Sequence, residues 1–264
     1  MTAMKHPREV VLVTGGARRL GAALCREYAR RGRVVVCHYL HAEREGAALV
    51  EELCAAGAEA YGVHGDLRSL DGIEQVFAQA CALAGAVDVL VNNAAAFEFD
   101  SGLAPSPELW SLHIDLNLRA PLWLASHAAR HCAQRGARGV AIHVLDQKVH
   151  ALNPDYFSYT VAKLALAASV KLQAQALAPH LRVIGIVPGL LGLSGPQTAE
   201  NFDWAARQNL LGQPVALADV ATACADASGN PSINGALIDV DCGQHLRPQP
   251  RDVMFLGPGN DGQR

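Results

Sequence analysis

A tyrosine and a lysine four residues apart, Tyr159 and Lys163, form the clearest acid–base pair in the sequence. They fall in "YTVAK", within a run that predicts a helix, so both side chains point to one face. A free phenol has a pKa of about 10 and transfers protons poorly at neutral pH. A lysine cation beside it stabilises the phenolate and lowers that pKa, so the pair predicts proton transfer to a bound substrate.

A second chemical motif, "TGGARRLG", follows an apolar run near the start of the chain and opens an amphipathic run. A turn between a first strand and a first helix presents backbone N–H groups and a helix N-terminus, which both favour phosphate oxygens. Gly15 and Gly21 permit the tight turn and the close packing of the helix. The motif predicts a dinucleotide-binding site that also includes Leu20.

The middle glycine position of this turn is occupied by Arg19, next to Arg18. Folds that prefer NAD often carry an acidic residue at the end of the second strand, where it binds the ribose 2′-hydroxyl. Here that end reads "VCHYLH" (36–41) and holds no acid, whereas guanidinium groups match phosphate well. The predicted cofactor is therefore NADPH, with both arginines at its 2′-phosphate. The alternative is that both are solvated at the start of the helix.

Further cofactor contacts are predicted where later strands end. Asp66 and Leu67 follow the third strand and are placed to contact adenine. Asn93 and Ala94, in "NNAA", follow the fourth strand and would line the inner edge of the cofactor. Asn92, in the same motif, could instead join adjacent strands.

Apolar, β-branched runs alternate with Ala- and Leu-rich amphipathic runs along the chain. Strands are predicted at 9–14, 33–39, 59–66, 87–94, 139–145, 181–189 and 235–241, and helices at 20–32, 42–56, 70–84, 106–135, 155–178 and 216–227. Continuous apolar strands between helices imply a parallel sheet covered on both faces. The predicted fold is α/β, a Rossmann-type, doubly wound sheet with its ligands at the carboxyl ends of the strands.

A single domain is predicted over residues 1–247. From Pro248 the sequence is rich in Pro, Gly and polar residues, so 248–264 is predicted to be a tail. Within it, the short apolar stretch 253–256 could contact a neighbouring subunit.

Composition excludes several classes of protein. The chain has 264 residues, of which 50% are hydrophobic and 18% charged, as is typical of an ordered globular protein. Its net charge of −3 comes without a basic stripe for nucleic acid. The N-terminus lacks a secretory signal, and no run of about 20 apolar residues could span a membrane. Seven cysteines without a C-x-x-C motif indicate a reducing compartment, so a cytoplasmic protein that binds small molecules is predicted.

No metal site is predicted. His127 and His131 lie four residues apart, but no glutamate stands between them as it does in a zinc-protease helix.

Taken together, these motifs resemble the short-chain dehydrogenases/reductases over about residues 8–247. The resemblance is carried by "TGGARRLG", "GDL" (65–67), "NNAA", Asn117 in "DLNLRAP", the Y-x-x-x-K pair and "PG" (188–189). It implies a parallel sheet of seven strands, with Tyr159 as the general acid and Lys163 as a ribose ligand that modulates the pKa of the tyrosine.

The same resemblance implies three further features. Asn117 would hold a water that links the lysine to solvent, and Pro188 and Gly189 would contact the cofactor. The protein would be a homotetramer, assembled through the helices at 106–135 and 155–178 and through the last strand.

One departure from the family pattern points to a particular branch. The family usually has a serine about a dozen residues before the tyrosine, and this chain has Asp146, thirteen residues before Tyr159. Together with Arg19 in the turn and His38-Tyr39 after the second strand, it resembles the pteridine reductases and the bacterial dihydromonapterin reductase. The resemblance implies that Asp146 pairs with the nitrogen edge of a pterin and feeds protons through Tyr159, and that His38 and Tyr39 belong to the cofactor site.

That branch also has an aromatic residue shortly after the N-N-A turn, which stacks on the pterin, and Phe97 occupies this place. Stacking would add about 0.5–1.5 kcal/mol beyond burial. The alternatives are ordinary packing for Phe97 and a loop or helix-cap role for Asp146. Ala95 stands where those reductases commonly have a serine that contacts the ligand, which leaves the exact substrate open.

The irregular stretch 190–210 is expected to cover the substrate. Leu190, Phe202 and Trp204 are candidate wall residues. The two aromatic residues could equally pack an interface helix.

The leading hypothesis is an NADPH-dependent reductase of pterin or dihydrofolate-like rings, in which hydride reaches a ring C=N and Tyr159 and Asp146 supply protons. The alternative is an NADPH-dependent reductase of a small ketone, quinone or sugar. A third hypothesis is an NADPH-binding regulator without turnover. Ala95 and the replaced serine favour the regulator, and the intact Tyr159 and Lys163 oppose it.

Overall fold

The fold is a single parallel sheet between helices, and the computed structural model describes residues 8–195 and 197–258. The strands are β1 (Val10–Val13), β2 (Val34–Tyr39), β3 (Ala60–His64), β4 (Val89–Asn92), β5 (Gly139–Val144), β6 (Leu181–Pro188) and β7 (Leu237–Val240). They lie in the order β3-β2-β1-β4-β5-β6-β7, and every adjacent pair is parallel. The predicted seven-stranded, doubly wound α/β sheet is therefore confirmed.

Helices connect the strands across both faces of the sheet. In the described ranges they are α1 (Arg19–Arg30), α2 (Glu43–Ala55), α3 (Leu70–Ala84), α4 (Pro107–His113), α5 (Ala120–Gln134), α6 (Phe157–Ala176), α7 (Ala199–Ala205) and α8 (Leu217–Gly229). The helix predicted over 106–135 is interrupted by a π-helical turn, Ile114–Arg119, that joins α4 to α5. Of the helices in 8–195 and 197–258, none combines the length and apolarity that a bilayer crossing requires.

Two apolar layers enclose the sheet. On one face α1, α2 and α8 pack on the strands, and on the other face α3, α5 and α6 do so. Successive residues of a strand point to opposite faces. Thus Val11 and Val13 of β1 lie in the first layer with Leu24, whereas Leu12 lies in the second with Ile73.

The direction of winding reverses between β1 and β4. From β1 the chain proceeds outward through β2 and β3, and it then returns to place β4 on the other side of β1. In such sheets the loops at the carboxyl ends of the two strands diverge and open a crevice. The turn after β1 and the loops after β4, β5 and β6 all end at this crevice.

Residues 248–258, which the sequence analysis placed in a tail, fold back onto their own chain; we call them the C-terminal segment. Val253 and Met254 are buried, and Arg251 pairs with the buried Asp155 at 2.8 Å. The Tyr156 hydroxyl donates to the sulfur of Met254 at 2.7 Å. Val253 and Met254 of the apolar stretch therefore pack within the chain, and a contact of the stretch with a neighbouring subunit stays a prediction. The remainder of the predicted tail, 259–264, lies outside the described residues.

Candidate active site

A cleft of about 490 Å³ opens at the carboxyl ends of the central strands. Most of the predicted site residues line it, namely Gly15, Arg18, Arg19, Leu20, Gly21, His38, Asp66, Leu67, Asn93, Ala94, Phe97, Asp146, Tyr159, Lys163, Pro188, Gly189 and Leu190. Four residues singled out from the sequence do not line it, namely Tyr39, Asn117, Phe202 and Trp204. The fold therefore brings together groups that are up to 175 residues apart in the chain, from Gly15 to Leu190.

The turn after β1 depends on two glycines. Gly15 has a φ of +61°, a conformation that glycine adopts without strain. A Cβ on Gly21 would lie 1.9 Å from the carbonyl oxygen of Gly15, so the close approach of α1 excludes any side chain there. The first amides of α1 have no acceptor within the helix, and no side chain of the described chain caps that end. This arrangement fits a pyrophosphate, because the amides and the helix dipole both attract anionic oxygens.

His38 and Asn93 hold the turn from two sides. The Gly15 N–H donates to Nδ1 of His38 at 3.2 Å, and Nε2 of the ring lies 3.0 Å from the carbonyl oxygen of Gly65. Burial lowers the pKa of His38 to about 4, so the ring is neutral and its Nε2 carries the proton. The Asn93 amide donates to the carbonyl oxygens of Thr14 and Gly15 at 2.9 and 3.0 Å. His38 therefore shapes the turn and presents no positive charge to it.

The two arginines of the turn reach different parts of the cleft. Arg18 pairs with Glu45 of α2, the helix that follows β2. Arg19 has a φ of +49°, and its guanidinium donates to the carbonyl oxygen of Leu193 at 3.0 Å, in the loop after β6. Arg19 thus points across the cleft toward the loop after β6, and the contact of both cations with the 2′-phosphate stays a prediction.

Tyr39 and Trp204 pack against other elements and do not line the cleft. A Cβ on Gly46 of α2 would lie 2.4 Å from the ring of Tyr39, so the ring rests directly on that helix. A Cβ on Gly257 would likewise lie 2.6 Å from the ring of Trp204. Both rings cover glycines of neighbouring segments, and the cofactor contact of Tyr39 and the substrate-wall role of Trp204 stay predictions.

Asn117 and Asn92 each join two segments of the chain by side-chain hydrogen bonds. The Asn117 side chain accepts from the N–H of Ala96 at 2.9 Å and donates to its carbonyl oxygen at 2.8 Å, so it holds the loop after β4. The water predicted between Asn117 and the lysine stays a prediction. Asn92 joins adjacent strands, as one of its two interpretations predicts: its Nδ2 lies 3.0 Å from Nδ1 of His143 in β5.

Asp146 and Tyr159 meet inside the cleft. The Tyr159 hydroxyl donates to Oδ2 of Asp146 at 2.9 Å, while Oδ1 accepts from the N–H of Lys148 at 2.8 Å. Burial raises the pKa of the Asp146 carboxyl. Lys163 donates to the carbonyl oxygen of Val144 at 2.7 Å, and burial lowers its pKa to about 8.

The pKa of Tyr159 moves in the direction opposite to the one that the Y-x-x-x-K spacing predicts. Burial raises it well above the ordinary value, and the adjacent Asp146 carboxyl raises it further. Nζ of Lys163 lies 5.8 Å from the centre of the Tyr159 ring, whereas the carboxyl oxygen is in hydrogen-bond contact with the hydroxyl. Tyr159 therefore holds its proton at neutral pH and can act as a donor.

Phe97 combines packing with a place on the cleft wall. Its ring stacks on Tyr156 with a centroid distance of 4.0 Å and stands edge-on to Tyr159 at 4.6 Å. Because Tyr156 occupies one face of the ring, only one face is left for a ligand. Packing thus explains part of this residue's position, and a stacking role would use the other face.

Several cleft residues were not predicted. They are Leu40, His41, Gly65, Arg68, Leu116, Val144, Leu145, Leu191, Gly192, Ser194 and Leu217, together with Ala95, which was singled out only for the serine it replaces. Most are apolar or lie in loops, and only their nearness in sequence to predicted residues could have identified them. A small chamber of about 40 Å³ extends the cleft toward the C-terminal segment, where Lys148, Gln244 and Asp252 contribute polar groups.

Comparison with known proteins identifies the group to which this fold and cleft belong. The family model described as short chain dehydrogenase matches residues 9–202. The chain belongs to the short-chain dehydrogenase family. Members of this family are oxidoreductases that use NAD or NADP. Within the described residues, no three His, Cys, Asp or Glu side chains come close enough to hold a metal ion.

The relatives of this short-chain dehydrogenase differ in their substrates. L-rhamnose 1-dehydrogenase (NAD(P)(+)) of Azotobacter vinelandii is 36% identical, over 69% of this chain and 73% of its own. The probable galactose dehydrogenase GalD of Rhizobium meliloti is 33% identical, over 69% of this chain and 71% of its own. The crystal structure of FolM alternative dihydrofolate reductase 1 from Brucella canis, complexed with NADP, is 34% identical, with a TM-score of 0.87 over 92% of this chain and 96% of its own.

Proposed function

We propose that this protein is an NADPH-dependent reductase of pterin or dihydrofolate-like rings. The observation that carries the proposal is the 2.9 Å hydrogen bond between Tyr159 and Asp146, in a cleft that Phe97 also lines. A carbonyl substrate needs only a hydroxyl donor, whereas a planar ring with several nitrogen atoms can also pair with a carboxyl. The likeness to the FolM structure over 92% of this chain supports the same substrate class.

The residues that line the cleft are chemically suited to hold NADP. The turn from Gly15 to Gly21 would hold the pyrophosphate on the uncapped end of α1. Arg18 would exchange its partner Glu45 for the 2′-phosphate, since guanidinium binds phosphate through paired donors. Lys163 would bind the nicotinamide ribose. When bound, the nicotinamide supplies the hydride that reduces the ring C=N.

The protein supplies the proton that accompanies this hydride. Burial raises the pKa of Asp146, so its carboxyl keeps a proton at a higher pH than a free aspartic acid does. Tyr159 donates its own proton to the ring nitrogen or relays the proton of Asp146, and solvent then restores it. One hydride and one proton are consumed for each C=N bond that is reduced.

A second candidate is an NADP-dependent dehydrogenase of a sugar. The relatives named as rhamnose and galactose dehydrogenases, at 36% and 33% identity, favour it. Asp146 opposes it, because it replaces the serine usual in this family, whose neutral hydroxyl could bind a sugar oxygen beside Tyr159.

The deciding experiment is a substrate panel with purified protein. NADPH oxidation is followed with a dihydropterin and with dihydrofolate, and NADP reduction is followed with rhamnose and galactose. Oxidation with either ring supports the proposal, and turnover of a sugar alone supports the second candidate. Silence with all four, in folded protein that binds NADPH, rejects the pterin proposal and both sugars as substrates.

We further propose that the protein is a cytoplasmic homotetramer. Trp123 on α5 and Leu172 on α6 lie on the helices predicted to form the interface and are 44% and 66% exposed in the single chain. Exposed apolar side chains mark a contact surface where they form a contiguous patch, and the proposal places such a patch on these two helices. The free thiols of the described chain fit a reducing compartment. Light scattering that shows a monomer at micromolar concentration would reject the assembly.

A further inference from the structure

A buried lysine connects the Asp146–Tyr159 pair to the C-terminal segment. The side chain of Lys148 is 3% exposed, and its Nζ pairs with a carboxylate oxygen of Asp252 at 2.7 Å. The same ammonium donates to Oδ1 of Asn153 at 2.9 Å. Ion pairs at this depth contribute little to stability, because removing both charges from water costs about as much as their attraction returns. The pair therefore calls for an explanation other than stability.

Lys148 also contacts Asp146 directly. Its main-chain N–H donates to Oδ1 of Asp146 at 2.8 Å, which leaves Oδ2 to accept from Tyr159 at 2.9 Å. The orientation of the carboxyl thus depends on where the short 3₁₀ turn Gln147–Val149 is held. The side chain of Lys148 anchors that turn to Asp252.

Asp252 is itself fixed by its surroundings. Its N–H donates to Oδ2 of the buried Asp155 at 2.7 Å, and its Oδ1 accepts from the N–H of Met254 at 3.1 Å. Arg251 completes the arrangement by pairing with Asp155. A series of hydrogen bonds and ion pairs therefore runs from the surface of the C-terminal segment to the carboxyl in the cleft.

We propose that Lys148 and Asp252 form a positioning pair through which the C-terminal segment orients Asp146 toward Tyr159 and balances the charge beside it. Neither residue was a candidate from the sequence, and both lie outside the set that would contact the cofactor. The proposal deepens the proposed function, and its consequence for turnover rests on that function.

The charges around Asp146 make the proposal specific. Lys148 on its own loop and Lys163 on α6 both lower the pKa of this carboxyl, against the larger effect of burial, and the hydrogen bond from Tyr159 acts in the same direction as the lysines. Asp252 faces Lys148 and raises the pKa of Tyr159. Loss of Lys148 should therefore raise the pKa of Asp146, whereas loss of the Asp252 charge leaves Lys148 uncompensated and should lower it.

The test is an NMR titration of the Asp146 carboxyl carbon in the full chain, with Asp146→Asn used to assign the signal. We expect the titration midpoint to rise by about one pH unit in Lys148→Met and to fall in Asp252→Asn. Shifts in the same direction in both variants, or in neither, would overturn the proposal. The double variant Lys148→Met/Asp252→Asn leaves no unpaired charge and is used if a single variant does not fold. Its Asp146 midpoint should stay above that of the unchanged protein. An unchanged midpoint would refute the proposed positioning pair.

Arg251→Gln is the matched control. It removes an ion pair of the same segment without touching Lys148, so the Asp146 midpoint should not move. If Arg251→Gln shifted the Asp146 midpoint as much as Asp252→Asn does, anchoring of the C-terminal segment alone would explain both shifts. That result would contradict a role for the charge of Asp252. The titration needs no turnover. A failure of the proposed function would appear as silence in the substrate panel, while the positioning pair would still be decided by the midpoints.

Discussion

The hydroxyl of Tyr159 donates a hydrogen bond of 2.9 Å to Oδ2 of Asp146, although thirteen residues separate them in the chain. β5 ends at Val144, two residues before Asp146, and α6 begins at Phe157, so the loop between them returns the helix to the strand end. Burial raises the pKa of both the carboxyl and the phenol. Proton supply in this cleft therefore depends on a carboxyl that titrates as well as on a phenol.

Removal of the phenol hydroxyl should stop turnover but not cofactor binding. We expect Tyr159→Phe to lower the turnover number by roughly 10²–10⁴-fold, the usual contribution of a positioned proton donor. NADPH affinity, measured by fluorescence titration, should change little. Tyr61→Phe is the control, because the Tyr61 hydroxyl donates to the exposed Glu59 at 3.0 Å and Tyr61 lies on the outer strand β3. Retained turnover in Tyr159→Phe would remove the tyrosine from the mechanism.

Asp146→Asn should lower turnover and raise the free energy of unfolding at neutral pH. Because burial raises the pKa of Asp146 in the folded state, the folded protein binds this proton more tightly, and stability is lost as pH rises through the raised pKa. The neutral asparagine avoids that loss. We expect a larger free energy of unfolding than in the unchanged protein at pH 7, no difference at acid pH, and turnover reduced at least about tenfold. Urea unfolding at the two pH values measures this, and a variant that is less stable at pH 7 contradicts it.

Two buried histidines should make the fold sensitive to acid. Burial lowers the pKa of His38 and of His143 to about 4, from an ordinary value of 6.5. Because each ring is harder to protonate in the folded state, the folded protein is destabilised as the pH falls from 6.5 toward 4. The loss of unfolding free energy over this window is on the order of 3 kcal/mol for each ring. His143→Gln should flatten the fall in unfolding free energy over this window, and the exposed His180→Gln should not. An equal slope in all three proteins would be the contrary result.

The two arginines of the cofactor turn should have separable effects. Arg18→Gln should weaken NADPH binding by roughly 10–100-fold and leave NADH binding nearly unchanged, since only NADPH carries the 2′-phosphate. Arg19→Gln should mainly raise the KM for the substrate, because Arg19 holds the loop at Leu193. Kd values for both cofactors decide between them. Arg26→Gln is the control, because the guanidinium of this α1 residue pairs with Glu52 of α2, and it should match the unchanged protein. Equal losses in Arg18→Gln and Arg19→Gln would refute the assignment.

Two glycine substitutions should differ sharply in their effects on NADPH binding and on Tm. In Gly21→Ala the new Cβ would lie 1.9 Å from the backbone oxygen of Gly15, which cannot move without opening the turn. In Gly192→Ala the contact would be with the guanidinium of Arg19, a flexible side chain that can move aside. We expect loss of NADPH binding and a lower Tm for the first variant only. Similar thermal unfolding and similar cofactor affinity in both variants would contradict the packing described for the turn.

The sheet could be predicted from the sequence because its signals are local. Runs of β-branched residues lie on buried central strands, and the amphipathic runs between them form helices within a few residues of the expected bounds. The helix over 70–84 is found with those bounds, where Ser69 caps its start and Gly85 ends it. The π-helical turn at Ile114–Arg119 was missed, because no local residue pattern separates it from an ordinary helix.

The C-terminal segment illustrates what a local pattern misses. Its Pro- and Gly-rich composition is typical of a tail, yet Asp252 and Arg251 find buried partners, Lys148 and Asp155, about a hundred residues earlier in the chain. An ion pair of that kind leaves no periodic signal in the sequence.

Residue types and spacing were sufficient to select the turn glycines, the tyrosine and the aspartate, because backbone freedom and proton chemistry belong to particular amino acids. Only the packed chain decided the directions of the side chains. Arg19 reaches across the cleft to Leu193, and the ring of Tyr39 packs on α2. The carboxyl of Asp146 affects the pKa of the Tyr159 phenol more strongly than Lys163 does. Direction and distance are set by contacts between segments remote in sequence, and electrostatic effects depend on that distance and on burial.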